Sequence, residues 1–303
     1  MDNKFAPVVI STFNRPDHLI KLVDSLKANK ECSKTDLIVF CDGAKNGKQD
    51  VDNQNVIQII NNISGFASVK KIFRETNYGL ARNIIEGLNW VFAEYETAIV
   101  LEDDLLVSPY FLSYMNRAFD YYSDKNVFSI AGYSPRVQFP SDYQYTTYSV
   151  MRNCSWGWGT WRNRWNQTDF DVKDFAEFIS DKKQRRAFNK AGSDLWPMLL
   201  KQQCGEINSW SIKFCYSAFK ASMPTIYPTK SYIENNGADG SGTNVKSTSR
   251  YVTALCDKPI EQVFCPPQES CSEIISSFKR TYDCSLIRQL INYIKLQKYL
   301  ITR

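Results

Sequence analysis

The chain opens on a short apolar, β-branched run, Pro7 to Thr12, ended by the polar turn Asn14-Arg15-Pro16-Asp17. Leu19, Leu22, Val23 and Leu26 then recur at helical spacing, so the pattern predicts strand, loop, helix. The alternation continues: Asp36 to Cys41 predicts a second strand stopping at Asp42-Gly43, Val56 to Ile63 has a helical period, and Val69 to Arg74 predicts a third strand. Tyr78 to Tyr95 predicts a long helix. Thr97 to Leu101 predicts a continuous apolar strand that stops at Glu102-Asp103-Asp104, and Pro109 and Phe111 open the next helix. After Pro135 the pattern becomes aromatic and glycine-punctuated, with S-W-G-W-G-T-W at Ser155 to Trp161 and shorter helices around Asp174 to Ala191. Asn235 to Ser249, rich in Gly, Asn, Ser and Thr, predicts a mobile loop. Beyond Pro266-Pro267, Leu286 to Leu300 predicts a separate amphipathic helix with Arg288, Lys295 and Lys298 on its polar side.

Strands alternating with helices predict an α/β fold, a mostly parallel sheet covered on both faces. Such sheets bind ligands outside the carboxyl ends of their strands, and Ser11/Thr12, Asp42 and Glu102 to Asp104 each stand at one. The expected organisation is a catalytic domain over 1–265, with 1–134 as its nucleotide-binding half and 135–265 as its acceptor side, followed by a helical extension over 266–303.

Composition narrows this little further. The 303 residues, 43% apolar and 14% aromatic, suffice for a full core. The net charge of +5 suits anionic substrates or a negative membrane surface and is far below the level expected of a nucleic-acid binder. No apolar run approaches the ~20 residues that cross a bilayer, and the first residues show no basic segment followed by an apolar one. The nine cysteines are scattered, without a C-x-x-C pair. A reducing cytoplasm is the expected location, with the cysteines acting mostly as small buried apolar residues.

Glu102-Asp103-Asp104 directly follows a buried strand, so three carboxylates would be held rigidly at a cleft edge, where their repulsion needs a cation to offset it. A divalent metal bridging a diphosphate would supply that cation; the plainer reading is a set of acids capping the next helix. Asn77, Gly79 and Arg82 open a helix whose free N–H groups and guanidinium could meet phosphate or ribose oxygens, or simply form an ordinary N-terminus capped by Asn77. Trp156, Trp158 and Trp161 would make a platform for sugar rings, or fill the core. The only histidine, His18, stands alone on the first helix, so any metal site must rest on carboxylates.

Taken in order, P-V-V-I-S-T-F-N-R-P, C-D-G, N-Y-G-L-A-R-N and L-E-D-D-L resemble a GT-A-type (Rossmann-like) inverting glycosyltransferase of family 2. They are also similar to the N-acetylglucosaminyltransferase I group, which carries an E-D-D sequence. The resemblance covers roughly Pro7 to Asn244. It implies that Ser11, Thr12 and Arg15 line a nucleotide pocket, that Asp42 bonds the base or ribose, and that Asn77, Gly79 and Arg82 approach the donor phosphates. Glu102 and Asp103 would contact ribose and donor sugar. Asp104 would coordinate Mn²⁺ or Mg²⁺, which stabilises the leaving diphosphate. The donor this implies is a nucleotide-sugar, by default a UDP-sugar, and the product is inverted.

S-W-G-W-G-T-W also resembles a stretch of bacterial members, which implies an acceptor subsite at Trp156, Trp158, Trp161 and Trp210. Inversion needs a general base, and the family places an acid just before a tryptophan at a helix start. Here that stretch is Glu206-Ile207-Asn208-Ser209-Trp210, with Asn208 or Ser209 where an acid is expected. Asparagine is no base, so Glu206 or Asp239 takes the role, or the match is offset by a residue or two. Relatives also often end the motif at Asp239 to Asn244 in histidine, where this chain has Asn244.

A nucleotidyltransferase would want a glycine-rich basic loop after the first strand, where this chain has F-N-R-P. The alternative carried forward is a catalytically inactive sugar- or nucleotide-binding descendant of a transferase. By resemblance the acceptor is a saccharide, often lipid-linked, at the inner face of a bacterial membrane, as in O-antigen or capsule assembly. Leu286, Ile287, Leu290, Ile291 and Ile294 share one helical face, which suits peripheral membrane contact, packing on the catalytic domain, or a homodimer.

Overall fold

A computed structural model describes residues 5–45, 51–237, 250–268 and 270–301. Its first half follows the hydrophobic pattern closely. Strand β1 (Val8–Thr12) leads through helix α1 (Pro16–Lys27) to β2 (Asp36–Cys41), then α2 (Val51–Asn61), β3 (Ser68–Phe73), α3 (Leu80–Glu94) and β4 (Thr97–Glu102). Pro16 starts α1 where its fixed φ and missing N–H cost nothing. Strand residues alternate between two cores. Val8, Ile10, Leu37, Val39, Ile99 and Leu101 face one, with α1, α2 and α4 (Phe111–Tyr122), while Val9, Ile38, Phe40, Ala98 and Val100 face the other, with α3 and α9 (Trp210–Lys220).

The remaining strands are β5 (Leu105–Val107), β6 (Ser129–Ala131), β7 (Thr147–Val150), β8 (Trp158–Trp161), β9 (Thr225–Pro228) and β10 (Ile233–Asn235). The main sheet has the order β3-β2-β1-β4-β8-β6-β9-β7. From β3 to β4 it is wholly parallel; β8 lies antiparallel to both β4 and β6, and β7 is antiparallel to β9. The fold is therefore a mixed sheet flanked by helices. β1 leads to β2 on one side and has β4 on the other, so the direction of winding reverses between β1 and β4, the kind of position where a crevice opens at the carboxyl ends.

The last four residues of S-W-G-W-G-T-W form β8, a strand in the middle of the sheet. Trp158 faces one core and Trp161 the other, and Gly159 is small because a Cβ there would run into Phe119 and the Ala98 carbonyl of the adjacent strand. Gly157, at φ +59°, turns the chain just before it.

Helices α6 (Phe175–Ser180), α7 (Lys182–Phe188) and α8 (Leu195–Gln203) form a third core with α9, reached also by Leu296. Helix α10 (Ser272–Tyr282), which the sequence did not distinguish, buries Ile274, Ile275 and Phe278 in the main core, and α11 (Leu286–Ile301) follows it as a helix pair. No helix among the described residues is long and apolar enough to cross a membrane.

Candidate active site at the carboxyl ends of β1 and β4

Ser11 pairs with Glu102 in the β1–β4 register, so the loops leaving both strands emerge side by side. The Thr12 hydroxyl donates to Asp103 Oδ2 at 2.7 Å, and the Phe13 amide donates to the same oxygen at 3.3 Å. Arg15, just before α1, reaches Asp104 Oδ2 at 2.9 Å. The third side of the site comes from far along the chain. β10 pairs antiparallel with β5, the Asn236 amide donates to the Asp104 carbonyl at 2.8 Å, and Gly237 lies so close that a Cβ would overlap the Asp104 carboxylate.

Three adjacent carboxylates in this crevice oppose one guanidinium. Burial, reinforced by the charges of Asp104 and Asp103, pushes Glu102 up to about 8, with Arg15 opposing. Burial likewise raises Asp103 to about 6, against the Thr12 hydrogen bond, and raises Asp104 against Arg15. An acid whose folded value is raised keeps its proton longer folded than unfolded. Stability from this cluster is therefore fully present below the ordinary carboxylate range near pH 4 and is lost as pH rises toward 8. Thermal melting from pH 5 to 8 should show a falling midpoint whose slope flattens in Glu102→Gln; an unchanged slope would show that other groups set the pH dependence.

Asp104 Oδ1 is buried with no hydrogen-bond partner among the described residues, while Oδ2 is held by Arg15. An orphaned carboxylate oxygen costs free energy until something covers it. No group of three or more metal-ligating side chains converges among the described residues. The donor set therefore fits a cation held by one protein oxygen and completed by the oxygens of a bound ligand.

Asp42 stands at the end of β2 but looks inward. Its Oδ1 accepts from the amides of Tyr78 (2.7 Å) and Gly43 (3.0 Å), and its Oδ2 from the Gly79 amide (2.8 Å) and Asn77 Nδ2 (3.1 Å). The carboxylate thus satisfies the free N–H groups ahead of α3 that sequence reasoning offered to phosphate. Asn77 spends its side chain there and on the Gly43 carbonyl. Asp42→Ala should cost about 2 kcal/mol, because four buried or half-buried donors lose their acceptor; a melting temperature equal to wild type would remove the latch from the account. Arg82 is exposed, ion-paired to Glu86 at 2.6 Å and stacked over Tyr78 at 3.9 Å. Two asparagines missed in the sequence brace these loops. Asn53 donates to the Phe13 and Asp42 carbonyls, and buried Asn83 joins Ser11 Oγ to Arg74. Asn83 was visible within N-Y-G-L-A-R-N but carried no distinguishing signal.

The tryptophan platform needs correction. Trp158, Trp161 and Trp210 are buried, Trp158 and Trp210 stacked at 4.9 Å and Trp161 set edge-on against Phe119 at 5.2 Å, so none presents a free face to a sugar. Only Trp156 is partly exposed, between Tyr133 and Tyr251. Trp158 pairs with Val100, so the residues before it run toward the carboxyl end of β4, where a Cβ on Gly157 would press on Leu101 and Ile233.

Glu206 is corrected as well. It is exposed, bound to Lys295 of α11 at 2.6 Å, and its pKa is lowered by that hydrogen bond, which weakens it as a base. Asn208 is exposed just before Ser209, whose hydroxyl caps α9. Asp239 and most of the expected 235–249 loop lie outside the described residues.

The sequence model for Glycosyl transferase family 2 matches residues 8–179. Among solved structures, the chain is similar to TarS of S. aureus, at 12% identity and a TM-score of 0.42 over 76% of this chain and 36% of TarS. It is also similar to the mannosyltransferase PcManGT of Pyrobaculum calidifontis, described in complex with GDP-Man and Mn²⁺, at 15% identity and a TM-score of 0.33 over 45% and 37% of the two chains. The chain thus spans little more than a third of the length of either. No curated protein sequence matches it significantly.

Proposed function

The chain belongs to glycosyl transferase family 2, and from that premise we propose that it is a GT-A-type glycosyltransferase that transfers a hexosyl or N-acetylhexosaminyl group, with inversion, from a nucleotide diphosphate donor to a saccharide hydroxyl. The observation that carries this reading is the buried Asp104 Oδ1, without a hydrogen-bond partner among the described residues, beside Arg15 at the point where the sheet's winding reverses. A cation there would supply Lewis-acid stabilisation of the departing diphosphate.

The chain's own residues have separable tasks in this reading. Thr12 and the Phe13 amide fix Asp103, leaving Asp104 to face the ligand. Glu102 and Asp103 contact ribose and donor sugar. Arg15, ion-paired with Asp104, is placed to meet the donor phosphates. Arg82 reaches them only by leaving Glu86. Trp156 offers an acceptor sugar an apolar face, and Asp239, two residues along the chain from Gly237, is the carboxylate we assign as base. A UDP-sugar donor and a lipid-linked acceptor in bacterial surface polysaccharide assembly complete the reading. The kinship with the N-acetylglucosaminyltransferase I group rests on E-D-D alone.

Titration calorimetry of UDP, GDP and dTDP, with and without Mn²⁺, tests the donor site. One nucleotide should bind tightly only with metal, and the absence of binding under every condition would end the proposal. The second reading, an inactive binding descendant, is favoured by one observation: Asn208 stands where an acid is expected and Glu206 is tied to Lys295. It predicts metal-dependent nucleotide binding without transfer to any acceptor and without donor hydrolysis.

A further inference from the structure

Helix α11 is packed the wrong way round for an ordinary amphipathic helix. Its buried residues are Asn292 and Leu296, the latter set in the third core, and Tyr299 lies edge-on to Phe175. Its large aliphatic side chains point outward instead: Leu286 is 82% exposed, Ile287 74%, Leu290 60%, Ile294 47% and Ile301 81%. At 3.6 residues per turn these five fall within an arc of about 100°, on the side opposite Asn292 and Leu296. A contiguous apolar stripe of this kind on the outside of a protein marks an interaction surface.

The charge around the stripe indicates what covers it. α11 contains no Asp or Glu, and Arg288, Lys295 and Lys298 stand along one edge of the stripe. Along the other edge, Tyr293 borders a groove lined by Lys182, Arg185, Arg186, Lys190 and Lys279, with no acidic side chain among the described residues of its wall. Among the described acids near the groove, Asp181 caps α7, Asp194 is held by both Nη atoms of Arg152, Asp283 accepts from the Ser193 amide and Glu206 binds Lys295, while Glu273 is exposed beside Ser272. Cations therefore border the apolar stripe on both sides. We propose that this face docks on a bilayer surface containing anionic phospholipid, the aliphatic side chains entering the acyl boundary and the groove and edge cations meeting lipid phosphates. A second copy is the poorer occupant, since symmetric pairing through α11 would set basic edges against each other with no carboxylate on the helix to relieve them.

The test is flotation of the full chain with vesicles of phosphatidylcholine alone or mixed with phosphatidylglycerol, without donor or metal, so that its outcome is independent of the donor site. Wild type should float with the mixed vesicles and detach as salt rises. Leu290→Ser/Ile294→Ser, two exposed positions that should leave the melting temperature unchanged, should weaken binding at least about tenfold. Lys182→Glu/Arg186→Glu should remove the preference for phosphatidylglycerol. Failure of wild type to float with anionic vesicles, or equal flotation of the serine variant, overturns the proposal. A dimer in sedimentation that the serine variant dissolves, with no flotation, assigns the stripe to a second copy instead.

Discussion

Asp104→Asn should abolish metal-dependent nucleotide binding and lower sugar transfer by on the order of a hundredfold or more, while leaving the protein folded. The substitution keeps the shape of the side chain but removes the charge from an oxygen that has no hydrogen-bond partner among the described residues. It also removes one of three mutually repelling carboxylates, so the melting temperature at pH 8 should hold or rise. Loss of function without loss of stability is the expected signature of a site that carries electrostatic strain. Calorimetry with Mn²⁺ and nucleotide, run beside a melting curve, reads both quantities. A variant that still binds nucleotide in a metal-dependent way would move the cation elsewhere; one that melts early would show that the Arg15 ion pair is structural. Gly237→Ala should act in the same direction, since its Cβ would displace the Asp104 carboxylate.

Trp158→Ala should destabilise the fold by about 3–5 kcal/mol, the range for emptying an aromatic site in a packed core. Trp158 is fully buried, stacked on Trp210 and in contact with Phe214 at 4.9 Å, so the void cannot close without moving α9 off the sheet. Trp156→Ala should change the melting temperature far less and show its effect in the acceptor KM, because this indole is partly exposed. Denaturant unfolding of both variants beside initial rates separates the roles. If Trp158→Ala is stable but impaired for acceptor, the sugar-platform reading of the central indoles is restored.

The first four strands and three helices were legible because each obeys a local rule. Alternation within β1, β2 and β4 follows from a sheet buried on both faces, and Leu19, Leu22, Val23 and Leu26 mark the one stripe by which α1 covers it. Those rules also put Thr12, Asp42 and Glu102 to Asp104 at strand ends. The short strands β6, β7 and β9 were not legible: three or four residues among aromatics give too few positions to establish a period.

Sequence by itself determined the alternating architecture and the carboxylates after β4, since both depend on residue type and on spacing along one segment. Which groups face the crevice was decided only by tertiary structure. Asp42 became a latch because Tyr78 and Gly79, 36 and 37 residues away, present their amides to it. The indoles of S-W-G-W-G-T-W became core because β8 was placed between β4 and β6. Gly237 came to Asp104 because β10 pairs with β5, more than 120 residues earlier. A side chain's direction depends on which distant strand lies beside it, and the hydrogen bonds and buried surface that select that neighbour form between segments whose own patterns do not name each other.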